Sequence, residues 1–234
     1  MADGTGATRR DRSARGLVGR FGLTGRTLLY WAGLLPAALA IGEASVGMLG
    51  ADPVKALEHV FGLWSLRFLI AGLAVTPLQR HGGPRLMRYR RALGVLAFIY
   101  VALHVAVYAV LDQGLDLSAI LADIWKRPYI TVGLAAFLIL LPLAATSTDP
   151  MVKRLGALAW RRLHLLVYPA VALAALHFVW LVKGWPAEPM VYAGLVALLL
   201  SYRLWWAIAG RKRPGRGTAR GARRRRAAAV SQEG

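Results

Sequence analysis

Three histidines, His104, His164 and His177, lie inside long apolar runs, where burying an ionisable ring is costly and calls for a function. Imidazole in such a place can ligate a metal, pass a proton along a relay, or hydrogen-bond between helices. The chain has no cysteine. Thiolate metal sites, iron–sulfur clusters, disulfides and a Cys nucleophile are therefore excluded. Any metal or cofactor has to be held by His, carboxylate or backbone. The other two histidines fall between the runs. His81, in a basic Gly-Gly-Pro loop, reads as solvated, and His59, after Glu58, as a surface residue.

The elements that carry these rings are membrane spans. Of the 234 residues, 57% are hydrophobic and 18% charged, yet the net charge is +19. A span needs about 20 mostly apolar residues. Residues 92–111, 128–148 and 163–182 have no formal charge, while 60–79 carries only Arg67 and 189–210 only Arg203. A weaker run at 27–49 has Glu43 near its far end and reads as a span rather than a cleaved signal peptide. The runs are continuous rather than alternating, which selects helices over a barrel. The expected fold is all-α and integral to the membrane, a bundle of six transmembrane helices.

The basic residues sit in blocks. Residues 1–26, 80–91, 147–162 and 210–234 hold 24 of the 30 Lys and Arg, whereas the alternate loops hold four, with seven carboxylates. The positive-inside rule then places both termini in the cytoplasm. Three regions follow: a basic cytoplasmic tail at 1–26, a six-helix domain at 27–210 and an Arg-rich cytoplasmic tail at 211–234. Charge runs flanking spans set topology and meet membrane lipids, so no nucleic-acid partner is expected. Asp52-Pro53 and Asp149-Pro150 are helix starts. Leu117, Ile120, Leu121 and Ile124 form an apolar stripe for a short helix on the outer surface.

Depth sorts the histidines. His104 is 13 residues after Arg91, about 20 Å into the third span, and His177 is 15 after Arg162, about 22 Å into the fifth. Both spans start inside, so the two rings reach a similar depth in the outer half. Two imidazoles on neighbouring helices suit a six-coordinate b-type haem that carries electrons. A proton relay ordinarily adds Asp or Glu within the spans, and apart from Glu43 at an edge there is none. His164 lies near the cytoplasmic face, roughly 140° out of phase with His177 on an ideal helix, though Pro169 between them can shift that phase. The third-span position level with His164 is Arg91, so a second haem there is less well supplied with ligands. Arg67, read as about five residues inside the outer boundary, is expected to meet a propionate of the outer haem. Arg203 snorkels to the inner headgroups.

The motifs resemble those of the MsrQ family, formerly YedZ, within the ferric-reductase-like transmembrane superfamily. They are Leu49-Gly50-Ala51-Asp52-Pro53, Arg90-Arg91-Ala92-Leu93-Gly94, Leu103-His104, Arg127-Pro128-Tyr129, Thr146-Ser147-Thr148, Arg154-Leu155-Gly156, Trp160, Leu163-His164, Tyr168, and His177 with Trp180. The resemblance covers residues 25–210. It implies b-type haem, with His104, His164 and His177 as the matching histidines. One or two haems are expected, and Arg67 and Arg91 are further cofactor-binding candidates. The resemblance also implies an FMN, electrons drawn from the quinone pool or a cytoplasmic donor, and delivery to MsrP, a periplasmic molybdopterin enzyme that reduces methionine sulfoxide. The expected place is the bacterial inner membrane. The chain would be an electron-transfer subunit whose reductase site lies on its partner. Two rivals remain from other classes: a proton or small-solute transporter with buried histidines, and a membrane scaffold.

Overall fold

The computed structural model describes residues 25–84, 86–182, 184 and 186–211. Every regular element among the described residues is helical. Six helices are long and apolar enough to cross a membrane: Gly25–Ser45, Pro53–Arg80, Met87–Asp112, Pro128–Ala145, Ala157–Leu181 and Ala187–Ala209, the first to sixth spans. The third opens with a 3-10 turn, Met87–Tyr89, and closes as a π-helix, Val107–Asp112. The fifth contains a 3-10 turn at His164–Leu166. Short helices Leu117–Lys126 and Asp149–Leu155 join the third to the fourth span and the fourth to the fifth. Apart from Gly25, Arg26 and Arg211, the two basic tails lie outside the described residues. The chain divides into two compact units, Met1–Ala197 and Leu198–Gly234; the described part of the second is the C-terminal end of the sixth helix, Ala187–Arg211.

Local chemistry sets the ends of these helices. Asp52 accepts the Lys55 N–H at 3.0 Å, and Pro53 occupies the first turn, where its missing N–H costs nothing. The second span therefore starts at Pro53, earlier than the apolar run at 60–79 suggests. Arg67 falls fourteen residues after Pro53 and thirteen before Arg80, at the middle of the helix rather than near its outer end. Asp116 caps the short helix by accepting from the backbone of Ser118 and Ala119 at 2.8 and 3.1 Å. With the Ser118 hydroxyl the largest influence, these bonds hold its carboxyl below the usual range.

Lipid tails are as apolar as leucine, so span–span association rests on close packing and interhelical hydrogen bonds. The second and third spans supply both. Ser65 Oγ donates to the Ala97 carbonyl at 2.9 Å. Tyr100 is fully buried, its ring 5.4 Å from that of Phe68 and 6.2 Å from that of Phe61. Its hydroxyl donates to Gly33 O at 2.7 Å and accepts from Ala37 N–H at 3.0 Å. Gly33 and Ala37 are an i, i+4 pair, so the phenol bridges the two groups of one rung of the first span's ladder beside Pro36. Glycine at 33 is needed there, because a Cβ would lie 2.6 Å from a Leu96 methyl. Tyr100 is four residues before His104 on the same helix face. The lock that fixes Tyr100 thereby fixes the helix that carries His104.

Candidate functional site

The second, third, fourth and fifth spans surround a cavity of about 530 Å3 near the ends where the second and fourth begin, a volume in the range of small-molecule and cofactor sites. His104 and His177 both line it. Their ring centres are 6.2 Å apart with planes at 82°, so the shared depth deduced from helix rise does bring these two rings together. Leu66, Leu69, Val101, Leu134 and Leu140 make much of the wall, while Lys55, Glu58, His59, Asp112, Arg127 and Tyr129 supply the polar groups.

Each ring is held by the backbone of the facing span. His104 Nδ1 is 2.8 Å from the Glu58 carbonyl, and His177 Nδ1 is 2.7 Å from the Tyr129 carbonyl. A carbonyl only accepts, so each Nδ1 carries the proton and donates it. Nε2 is then the basic nitrogen of both imidazoles, and this is the arrangement by which an outer-shell acceptor readies a histidine for a metal. Glycines let the rings approach the neighbouring helices. A Cβ on Gly133 would lie 2.7 Å from His177 Nδ1, and one on Gly62 would lie 3.3 Å from His104 Nδ1. Neither glycine stands out in the sequence, since nothing in its local pattern reports a tertiary contact.

His164 is placed elsewhere. Its Nδ1 donates to the Trp160 carbonyl at 3.0 Å, its ring stacks on Trp160 at 3.9 Å, and its Nε2 is 3.3 Å from Ser147 Oγ. It does not line the cavity. The 3-10 turn His164–Leu166 alters the helical phase by about 60° over three residues, and His164 still stands apart from the pair. Arg67 also lies outside the lining. Its Nε donates to the Tyr192 hydroxyl at 2.8 Å, and its guanidinium sits 5.0 Å from the Trp64 ring centre. Arg91 pairs with Asp149 across the loops at the other end of the third span. That bond holds the Asp149 carboxyl below its usual range.

The cations that do line the cavity are Lys55 and Arg127. Lys55 Nζ pairs with Asp112 at 2.8 Å and Glu58 at 3.2 Å, and Arg127 Nε with Asp123 at 3.3 Å. The Asp52-Pro53 cap is the signal that could have found Lys55, because a helix starting at Pro53 places Lys55 and Glu58 in its first two turns. Tyr108, in the π-helical end of the third span, lines the cavity and donates to Asp123 at 3.2 Å. Such π-turns recur beside functional sites because they re-aim side chains. Nothing among the described residues points to an FMN site.

Six apolar helices, four of which enclose a paired-imidazole cavity, suit a multi-pass membrane protein of the ferric-reductase-like class. In keeping with that, the family model "Ferric reductase like transmembrane component" matches residues 60–175. The "Protein-methionine-sulfoxide reductase heme-binding subunit MsrQ" of Brucella ovis, of Brucella canis and of Brucella suis is in each case 54% identical over 177 residues, covering 76% of this chain and 80% of the relative. The chain belongs to the MsrQ family. No solved structure matches it.

Proposed function

We propose that this chain is the haem-carrying membrane subunit of a protein-methionine-sulfoxide reductase system, and that His104 and His177 would together hold one b-type haem. One observation carries the reading: both imidazoles give their Nδ1 protons to backbone carbonyls, which leaves two basic nitrogens in one largely apolar cavity. The ring separation agrees. The two ring centres stand 6.2 Å apart, close enough for both imidazoles to hold one group between them.

The group would supply one-electron redox chemistry. The protein's own residues do the rest. The Glu58 and Tyr129 carbonyls fix tautomer and ring orientation. Leucine and valine walls exclude water. Lys55 and Arg127, rather than Arg67, would face the haem's carboxylates, as charged donors suit them when removed from water. A haem held by both histidines would suit electron relay rather than oxygen binding.

The basic loops support an orientation with both termini in the cytoplasm of a bacterial inner membrane, which would put the cavity in the periplasmic half. Electrons from the quinone pool enter at the His164 end and leave to the periplasmic partner MsrP, which holds the reductase site. The test is a visible spectrum of the purified full chain, followed by mixing the reduced protein with MsrP and a methionine sulfoxide substrate. A Soret band with sharp reduced alpha and beta bands, reoxidised only when partner and substrate are both present, is expected. A chain purified without haem bands would turn the reading toward a transporter or scaffold.

A further inference from the structure

The short helix Leu117–Lys126 has two apolar faces with different neighbours. Ile120 and Ile124 line the cavity and form part of its roof. Leu117, Leu121 and Trp125, spaced i, i+4, i+8, point away from the protein and are 66%, 57% and 90% exposed. The exposed apolar surface continues back through Leu115 to Leu111 and Val110, at the end of the third span. Leu115 has φ +61°, a left-handed conformation that is strained for a bulky side chain and persists where the surroundings require it. Glycine would take that conformation freely, as Gly114 does next to it. A leucine solvated by water gains nothing that offsets the strain; a leucine buried in hydrocarbon does.

We infer that the outer face of residues 110–125 is immersed in the headgroup–acyl boundary of the bilayer, and that lipid seats the roof of the cavity. The occupant is lipid rather than protein for two reasons. The patch is continuous with the outward face of a membrane span, and only Arg127 separates the helix from the fourth span, so it is tethered at the membrane surface from both ends. Moreover, Trp125 is followed by Lys126 and Arg127, an aromatic ring with cations beside it, as suits the interface. The inference is independent of what the cavity holds.

Because the chain has no cysteine, a nitroxide on Leu121→Cys or Trp125→Cys reports a single site in the full-length protein. The variants are placed in nanodiscs of phosphatidylethanolamine and phosphatidylglycerol, and collision with oxygen is compared with collision with a water-soluble nickel chelate. Oxygen is expected to dominate severalfold at both positions, and nickel at Lys126→Cys, which lies half a turn around the helix from Leu117. Water-like accessibility at positions 121 and 125 would overturn the inference. So would shielding from nickel that arises only on adding MsrP, since the face would then dock a protein.

Discussion

At the residue scale, the candidate site depends on two contacts that fix the imidazoles from behind. The His177 ring fills the space a side chain at position 133 would need. Gly133→Val should push that ring off the Tyr129 carbonyl and weaken haem retention by about 10-fold or more, the cost typical of losing outer-shell support. Gly62→Ala should be milder, because the Cβ there would stand at 3.3 Å rather than 2.7 Å. Haem content per polypeptide after purification measures both; equal, undiminished content in the two variants would contradict the packing described. Arg67→Leu should leave haem content within about twofold, since its donor meets Tyr192 outside the cavity, whereas Arg127→Leu should lower haem content or shift its potential, as expected when a desolvated carboxylate loses a charged donor.

At the element scale, two ties hold the helices in register. Removing the phenolic hydroxyl with Tyr100→Phe deletes both hydrogen bonds to the first span, the one to Gly33 and the one from Ala37. The expected destabilisation is about 1 kcal/mol, read as a lower midpoint in thermal unfolding in detergent. The second tie is Arg91–Asp149. The folded-state pKa of Asp149 is depressed, so its contribution is present above the ordinary carboxylate range and is lost as pH falls through the depressed value. Both side chains reach solvent, so salt should weaken the contribution too. Arg91→Gln should lower stability at neutral pH and low salt yet match the parent once Asp149 is protonated. A gap between the two proteins that persists at acid pH would assign Arg91 some other role.

At the scale of the whole molecule, much of the architecture is legible because a bilayer imposes a simple rule. Twenty apolar residues make a span, and the blocks of Arg and Lys then order the loops. Helix rise alone puts His104 and His177 at one depth. What stays hidden depends on tertiary approach. The carbonyls of Glu58 and Tyr129 are backbone groups that no sequence pattern marks, and Gly62 and Gly133 matter only because an imidazole from another span lies against them. Arg67 illustrates a boundary error: hydropathy begins the second span at residue 60, whereas the Asp52 cap begins it at Pro53. The proposed orientation is testable in intact spheroplasts, where a membrane-impermeant maleimide should label Ser118→Cys but neither Ser13→Cys nor Ser231→Cys. The central claim is that His104 and His177 serve one haem together, and its most direct test is the optical and low-temperature EPR spectrum of His104→Ala and His177→Ala beside the parent. Each variant should lose the same low-spin haem signal, with His164→Ala retaining it. Retention of that signal in either of the first two variants, or its loss only in His164→Ala, would contradict the account.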